Sequence, residues 1–380
     1  MQRTVRLILR PTPEQSEALA QTAKCYVAVF DYVSKVGFEK HITHSFALHH
    51  ETYYHVRERF PQLPANLVCS VLIVVAESLK SVSALNKNCH KVSCPTMKMR
   101  SMRLSNRLYR LMPDKISVSS VAGRLKIAYL SNPHADKWLS VADSTASANL
   151  VYRKGKFYLH VCLNVPDNAF SPNGNVIGVD LGVNRPAVTS DAQFHGERRW
   201  KEVGNRYFRL RRRLQAKGTK SAKKHLKKLS GKVQRFRRDC DHVISRKIVD
   251  SVEPGTVIAV EKLTGIRGRV RQRKGKQQRK LHEWSFNQLQ CFLTYKAEEK
   301  ACLVVTVDPK HTSQTCSKCG HVAKSNRKSQ SVFKCKSCGY ELNADLNAAV
   351  NIAAKYRVED GKSVFDGPLS TGLSPQRLAS

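Results

Sequence analysis

Three acidic residues stand in apolar surroundings, where an ionised carboxylate is energetically costly. Asp180 ends the run IGVD, Glu261 directly follows VIAV, and Asp345 begins the helical stretch NADLNAAVNIA. Two carboxylates at the ends of neighbouring buried strands, joined by a third from a helix, repel each other unless cations lie between them. A Mg²⁺ pair roughly 3.5–4 Å apart can stabilise both the attacking and the leaving oxygen of a phosphodiester. The three acids therefore predict a catalytic site that binds Mg²⁺ or Mn²⁺ and cleaves nucleic acid.

Each of these acids taken alone has a plainer interpretation, as a solvated loop residue or a helix cap. The combination with a strongly basic chain favours catalysis. Asp308, in VVTVDPK, is a competitor of the same kind, although Pro309 next to it favours a structural turn. Carboxylates placed in this way are typical of an RNase H-like cluster. The order Asp, Glu, Asp is that of Holliday-junction resolvases, whereas cut-and-paste transposases with an RNase H-like fold usually have Asp, Asp, Glu. The order favours a nuclease over a strand-transfer enzyme.

Two Cys-x-x-Cys pairs with 15 residues between them predict one tetrahedral zinc site. A glycine follows each pair and allows a tight turn there. With four thiolates the coordination shell is closed, so the ion is expected to be structural. His321 is an alternative ligand, but a surface position is favoured for it. The predicted zinc ligands are Cys316, Cys319, Cys335 and Cys338.

The other cysteines do not form a disulfide framework. They are scattered singly, and the group Cys89, His90 and Cys94 is spaced too irregularly to predict a second metal site. This pattern is typical of a reducing compartment. Neither a secretory signal at the N-terminus nor a spanning segment is expected, because the longest nearly apolar run, Leu67–Ala76, is shorter than the roughly 20 residues that a spanning helix needs. A cytoplasmic, nucleoid-associated protein without a membrane partner is expected.

The charge of the chain predicts a polyanionic partner. Lys and Arg number 66 against 29 Asp and Glu, a formal net charge of +37, and nucleic acid is the commonest partner of such a protein. From 198 to 238 there are 18 Lys and Arg and one acid, Glu202, and 267–280 adds eight more. Like charges this dense destabilise a helix unless phosphates neutralise them. The predicted nucleic-acid contacts are Arg209, Arg212, Lys224, Lys228, Arg235 and Arg238.

The patterning predicts a multidomain α+β protein. Apolar residues from Leu226 to Val243 alternate steps of three and four, and Gly218 interrupts the basic stretch, which together predict a helical hairpin. Apolar alternation on either side of Gly123 and of Lys154-Gly155 predicts two β-hairpins of a small β-barrel that shares the first strand, Val5–Arg10. A mainly helical insertion follows that strand, and Thr12 and Gln15 predict a capping box at its start. The predicted domains are a β-barrel of residues 1–11 and 111–168, a helical insertion of 12–110, an α/β nuclease domain of 174–310 and 341–357, a zinc ribbon of 311–340, and a disordered tail of 358–380.

Several of these segments resemble the TnpB (OrfB) proteins of insertion sequences, which are relatives of type V CRISPR effectors. The resemblance rests on IGVDLGVNR, DHVISRKIV, AVEKL, YKAEEKACLVVTVDPKHTSQTCSKCGH and NADLNAAVNIA, and on the opening RPTPEQ. It implies a RuvC (RNase H-like) nuclease domain with an inserted Cys₄ zinc ribbon, preceded by a wedge-like β-barrel that carries a recognition-like helical insertion. Asp180, Glu261 and Asp345 match the family's catalytic positions, and the four cysteines match its zinc ligands.

The resemblance also implies a function, an RNA-guided DNA endonuclease encoded by a bacterial or archaeal transposon. Its partners would be a guide RNA from the transposon end and a double-stranded DNA target next to a short flanking motif. Other interpretations are a nucleic-acid-binding regulator with an inactive centre, a zinc-ribbon RNA-binding protein, and a transposase or transposase-accessory protein. The three intact acids and their order argue against these.

Overall fold

The computed structural model describes residues 1–86, 92–97, 101–263 and 285–360. It divides into two compact units, Met1–Pro166 and Asp167–Ser380. The boundary falls at the start of the stretch 166–175, rich in Pro, Asn and Gly. The predicted basic segment 267–280, the residues Cys89 and His90, and most of the predicted tail lie outside the described residues; the last helix runs to Asp360. The division into five domains stays a prediction.

The first unit is built on one antiparallel, nearly closed sheet of seven strands in the order β2-β6-β7-β1-β5-β4-β3. Tyr109 on the edge strand β3 donates a hydrogen bond to the Ala146 carbonyl of β6 at 2.6 Å, where the β6–β7 register is irregular. This bond draws the two ends of the sheet together. The strands are β1 (Gln2–Arg10), β2 (Ser101–Leu104), β3 (Tyr109–Leu111), β4 (Lys115–Ser120), β5 (Gly123–Leu130), β6 (Ser144–Arg153) and β7 (Lys156–Asn164).

Two predicted hairpins and the predicted role of the first strand are confirmed. β1 pairs with both β7 and β5. Lys154 and Gly155 join β6 to β7 with φ values of 52° and 76°, and two successive positive φ values match the twist of the flanking strands. Strand β2 lies inside 12–110, which was predicted to be mainly helical, and β3 crosses the end of that range. These strands are short and lack a sustained alternation of apolar residues, so their local pattern carries little signal.

The described residues of the first unit also form four helices: α1 (Pro13–Glu39), α2 (Ser45–Arg59), α3 (Ala65–Asn86) and α4 (Pro133–Leu139). The predicted capping box of α1 is confirmed, since Thr12 accepts from the Gln15 amide and the Gln15 side chain accepts from the Thr12 amide. Helix α4 was not predicted. The helices and the sheet share one apolar core.

Helix α3 is the core helix of this unit. Over Ala65–Leu85 it is long and apolar enough to cross a membrane by length and composition. The sequence expectation considered only the uninterrupted apolar run and overlooked this longer stretch. Leu67, Val68 and Val71 are fully buried against the rest of the core, and 44% of the apolar window is buried inside the protein.

The second unit contains a five-stranded sheet in the order β10-β9-β8-β11-β12. Strands β8, β11 and β12 are parallel, as the α/β prediction for this half requires, and β9 and β10 are antiparallel additions at one edge. The strands are β8 (Val176–Asp180), β9 (Ala187–Thr189), β10 (Phe194–His195), β11 (Val257–Glu261) and β12 (Leu303–Val307). Within the described ranges 167–263 and 285–360 the α-helices are α5 (Arg198–Lys217), α6 (Lys220–Asp250), α7 (Phe286–Glu299) and α8 (Ala344–Asp360).

Helices cover both faces of this sheet. Alternate residues of β8 and β11, such as Val179 and Val260, join a core with α6 and α7. The intervening residues, such as Ala259, pack with Ile352 of α8. Because successive side chains of a strand point to opposite faces, the residues two positions along from Gly178 and Ala259 lie on the α8 side. Those residues are Asp180 and Glu261.

The predicted helical hairpin is present as α5 and α6. Gly218 ends α5 with a φ of 64°, and Thr219 caps α6 by accepting from the Ala222 amide. Tyr207 and Phe236 meet edge to face between the two helices, with centroids 5.9 Å apart. The basic residues remain on the outer sides of the pair.

Candidate active site and metal cluster

Two of the predicted carboxylates are held by adjacent parallel strands. Val179 of β8 is in register with Val260 of β11, so Asp180 and Glu261 each follow one residue later at the same edge of the sheet. Neighbouring strands lie about 4.7–4.9 Å apart, and both side chains are on the face covered by α8. Both residues are half-buried.

A close approach of α8 to β8 brings in the third carboxylate. A Cβ atom at Gly178 would lie 2.0 Å from the Ala349 carbonyl oxygen and 2.6 Å from the Ala353 amide nitrogen, so only glycine permits this contact. Asp345 lies one helical turn before Ala349 on the same side of α8. The packing at Gly178 therefore places Asp345 beside the carboxyl end of β8.

The electrostatics of Asp180 place the other two acids in its neighbourhood. Burial raises the pKa of Asp180 to about 8, and the charges of Glu261 and Asp345 also raise it, whereas Arg327 lowers it. Burial raises the pKa of Glu261 as well, against the hydrogen bond from Thr312. Like charges that are buried together favour bound protons unless a cation replaces them, so the chemistry of this donor set suits a divalent metal ion, whereas among the described residues only the cysteine cluster has its ligand atoms grouped closely enough to hold one.

Two residues outside the acid trio contact it directly. Arg327 Nη2 lies 3.1 Å from Asp345 Oδ1 and also donates to the Gln330 carbonyl. Thr312 Oγ1 donates to Glu261 Oε1. Both belong to the segment between β12 and α8 that also carries the four cysteines, so this segment contributes side chains to the acidic site.

Asparagines of α8 attach the same segment to the helix. Asn351 donates to the carbonyl oxygens of Thr312 at 2.8 Å and Thr315 at 2.7 Å. Asn347 donates to the Thr315 carbonyl and accepts from the Ser317 amide. The two asparagines are four residues apart and therefore share one side of the helix.

The four cysteines form a cluster that could hold a metal ion. Their sulfur atoms all lie within 4.8 Å of one another, with Sγ–Sγ distances of 3.7 Å for Cys316–Cys338 and 3.6 Å for Cys319–Cys335. A tetrahedral ion with metal–sulfur bonds of about 2.3 Å requires sulfur separations of about 3.8 Å. The cluster fits such an ion, and the strands β13 (Val332–Lys334) and β14 (Glu341–Asn343) flank its second pair.

The competing residues take other positions. Asp308 is exposed, accepts from the Lys310 amide at 3.1 Å and lies 3.9 Å from Lys355 Nζ, which favours the turn interpretation. His321 is exposed and is not a member of the cysteine cluster. Cys94 lies in the first unit, where its sulfur is 3.5 Å from Ser34 Oγ.

The predicted nucleic-acid contacts are all exposed on α5 and α6: Arg209, Arg212, Lys224, Lys228, Arg235 and Arg238. Arg238 additionally lies over the ring of Phe292 at 5.9 Å. The exposure of these side chains leaves them accessible to phosphates, and their role in binding stays a prediction.

Sequence reasoning missed the residues that surround the carboxylates. Arg327 lies in a stretch of surface-like composition, and nothing in its spacing connects it to Asp345. Asn347 and Asn351 carried a weak signal, since amide side chains at helical spacing within an apolar helix require hydrogen-bond partners.

Comparison with known proteins assigns the chain to a family. The family model described as "Cas12f1-like, TNB domain" matches residues 286–352, and the one described as "Probable transposase" matches 160–265. A TnpB-like protein of Aquifex aeolicus is 31% identical over 232 residues, which make up 54% of this chain and 76% of that protein. The chain belongs to the TnpB family. The family prediction is thereby confirmed.

Other relatives of this TnpB family member carry nuclease names. The CRISPR-associated endodeoxyribonuclease Cas12f1 of Sulfoacidibacillus thermotolerans is 34% identical over 242 residues, 57% of this chain and 55% of that protein. The putative RNA-guided DNA endonuclease InsQ of Escherichia coli is 29% identical over 219 residues, 53% and 54% of the two chains. The chain thus spans about half the length of these two relatives.

The fold is shared with a solved nuclease. The structure of a Cas12f1–sgRNA–target DNA complex matches with a TM-score of 0.60 at 18% identity, covering 90% of this chain and 83% of that one. At this identity the match concerns the fold. It supports a multidomain α+β architecture of the kind predicted.

Proposed function

We propose that this chain is an RNA-guided DNA endonuclease. Asp180, Glu261 and Asp345 are the catalytic residues with which it hydrolyses phosphodiester bonds of DNA. The observation that carries the proposal is that these three carboxylates come from the same edge of the sheet under α8. The charges of Glu261 and Asp345 both raise the pKa of Asp180. Asp180 and Asp345 are far apart in the chain, so their proximity is built by the fold. The names of Cas12f1 and InsQ support guided DNA cleavage.

The carboxylates would hold Mg²⁺ or Mn²⁺, and the four cysteines would hold Zn²⁺. The catalytic ions, when bound, would activate the attacking water and stabilise the leaving oxygen. Asp180 must lose its proton before it can act as a ligand, because its pKa is raised to about 8 without a cation. Arg327 keeps a guanidinium beside Asp345 and limits the repulsion within the trio.

The hairpin of α5 and α6 would bind the phosphate backbones of the guide RNA and of the double-stranded target. Such contacts position a duplex and do not read its sequence; target choice would come from base pairing next to a short flanking motif. The wedge-like barrel (1–11 and 111–168) and the helical segment (12–110) would help to hold the RNA and to recognise that motif. A bacterial or archaeal nucleoid is the expected location.

The decisive experiment is to purify the full chain with its bound nucleic acid and to sequence any RNA that copurifies. We expect one dominant RNA with a constant part and a variable targeting part. The purified complex should cleave DNA that contains the complement of the variable part, when the target is placed beside a randomised flanking sequence and Mg²⁺ is added.

Two controls separate the parts of this proposal. A target with a scrambled pairing segment should stay intact, which tests guidance. The Asp180→Asn complex should retain its RNA and leave the matched target uncut, which tests the active site. Recovery of heterogeneous cellular RNA together with cleavage that ignores target sequence would refute guidance while leaving the nuclease in place.

A further inference from the structure

Thr312 is a buried hydroxyl residue that contacts one of the proposed metal ligands. Its exposed fraction is 4%, and its Oγ1 donates to Glu261 Oε1. The Pro309 carbonyl lies 3.0 Å from the same hydroxyl, which provides a second acceptor for its single proton. A β-branched side chain has few rotamers, so the hydroxyl is held near one position beside the carboxylate.

The backbone of Thr312 is fixed by the helix that carries Asp345. Its carbonyl oxygen accepts from Asn351 Nδ2 at 2.8 Å, and Asn351 also binds the Thr315 carbonyl. Asn351 is 8% exposed, so its amide is committed to these bonds. On the other side, Lys355 of α8 donates to the carbonyl oxygens of Asp308 and Lys310. The loop that precedes the cysteines is therefore attached to α8 on both sides of Thr312.

This arrangement constrains Glu261 more than the strand does. Glu261 is the last residue of β11. Its side chain has three rotatable bonds, and packing of its Cβ within the strand restricts only the first of them. A hydrogen bond to one carboxylate oxygen orients the group and leaves the other oxygen available to a metal ion. Partners of this kind in metal sites typically change metal affinity or activity by about 10- to 100-fold when removed.

We propose that Thr312 is a positioning residue, which orients Glu261 for metal binding and is itself held by Asn351. The proposal rests on the proposed function, since it requires Glu261 to be a metal ligand. It links the cysteine-bearing segment to the acidic site through one hydroxyl.

The test is the binding of Mn²⁺, measured directly on the full chain by calorimetric titration and by electron paramagnetic resonance. Thr312→Val removes the hydroxyl at nearly constant size and should weaken Mn²⁺ binding by about 10- to 100-fold. Thr312→Ser keeps the hydroxyl and should stay close to the wild type. The concentration of Mn²⁺ that gives half-maximal DNA cleavage should move in parallel, with cleavage partly recovered at saturating metal.

A matched control measures the general cost of losing a buried hydroxyl. Thr294 of α7 is 6% exposed and donates to the Gln290 carbonyl of its own helix, so Thr294→Val should leave Mn²⁺ binding unchanged. If Thr312→Val does not fold, as judged by its melting curve and zinc content, Thr312→Ala makes the same deletion without a second methyl group and should give the same weakening.

The outcomes distinguish the two levels of the argument. Failure of the wild type to bind Mn²⁺, with the same result for Asp180→Ala, would refute the proposed function. A wild type that binds Mn²⁺ and a folded Thr312→Val with the same isotherm would refute the role of Thr312 alone. Loss of binding in Thr312→Ser as well would show that shape at this position matters and the hydroxyl does not, which also refutes it.

Discussion

The acidic site and the cysteine cluster of the second unit are assembled in different ways. The four cysteines lie within a short stretch, and their spacing alone determines that their sulfur atoms can meet. The three acids come from two strands and a helix, and they lie at the same edge of the sheet because β8 and β11 are in register and because Gly178 lets α8 approach. A local site can be recognised from spacing, whereas a dispersed site depends on the packing of the whole unit.

The largest expected effect is a loss of DNA cleavage without a loss of zinc, which separates the acidic site from the cysteine cluster. Asp180→Ala should lower DNA cleavage by at least about 1,000-fold, equivalent to about 4 kcal/mol of transition-state stabilisation, because a metal ligand is lost. Zinc content and nucleic-acid affinity should be nearly unchanged. Cleavage rates and a zinc assay on the same preparation measure both. Asp308→Ala is the matched control, and a greater loss in that variant would transfer the catalytic role to Asp308.

The second prediction is that the acidic site depends on the cysteine cluster. Cys335→Ser should release the zinc ion and unfold the segment around the cluster, because structural zinc contributes folding free energy, about 10–16 kcal/mol in zinc-finger peptides. Since Thr312 and Arg327 lie in this segment and contact Glu261 and Asp345, cleavage should fall by about 100-fold.

Zinc content, melting curves and cleavage assays check this prediction. Cys291→Ser changes a half-buried free cysteine outside the cluster and serves as the control. Full cleavage by a zinc-free Cys335→Ser protein would show that the two sites are independent.

Gly178 offers a way to disturb the dispersed site and spare the local one. In Gly178→Ala the new methyl group would collide with the α8 backbone, so α8 must shift, at a cost of about 1–3 kcal/mol in the free energy of unfolding. A displacement near 1 Å can reduce a rate by about 100-fold.

Denaturant unfolding and cleavage rates provide the measurements, and zinc content should stay normal. Gly204→Ala is the control, because a methyl group on that helical glycine of α5 would meet nothing within 4 Å. Equal cleavage by both alanine variants would contradict the role assigned to the α8 contact.

The acidic site should also respond to pH. The pKa of Asp180 is raised to about 8 by burial and by its acidic neighbours, so without metal the folded state favours the protonated acid. Stability from this group is fully present below its unfolded pKa of about 3.9 and is lost as the pH rises towards 8. Protons compete with Mn²⁺, so with a pKa of about 8 for Asp180 Mn²⁺ affinity should rise by roughly 50-fold from pH 6 to pH 8.

Titrations of Mn²⁺ at several pH values, with melting curves of the metal-free protein, measure these trends. Asp180→Asn cannot ionise at this position and should flatten the pH dependence of stability. A melting temperature of the wild type that rises relative to that of Asp180→Asn between pH 5 and pH 8 would contradict the sign.

The smallest effect belongs to the basic hairpin, which should be separable from both sites. Lys224→Ala should weaken nucleic-acid binding a few-fold and reduce the slope of log affinity against log salt by about 0.7–0.9, because one phosphate contact is lost. Lys224→Arg keeps the charge and should preserve the slope. Binding at several salt concentrations provides the slope, and an unchanged slope in Lys224→Ala would remove this residue from the interface.

Strands, helices and the cysteine cluster could be predicted where the information is local. The capping box at Thr12 and the turn at Lys154–Gly155 depend on residues that are neighbours in the chain. Strand β2 was missed because it pairs with the distant strand β6. Strand β3 pairs with its neighbour β4, but its three residues are too few to show an alternating pattern. Asp180, Glu261 and Asp345 could be recognised as candidates because acids are energetically costly in apolar surroundings. The prediction that they form one group required an assumed fold.

By itself, the sequence determined the four-cysteine site, the basic character of α5 and α6, and which acids were candidates, because spacing, charge and the surroundings of a residue are properties of neighbouring positions. Only the tertiary structure decided that α8 lies against Gly178, that Arg327 contacts Asp345, and that Thr312 contacts Glu261. These contacts join residues whose separation along the chain carries no distance information, and they exist because two strands in register and one closely packed helix converge at the same edge.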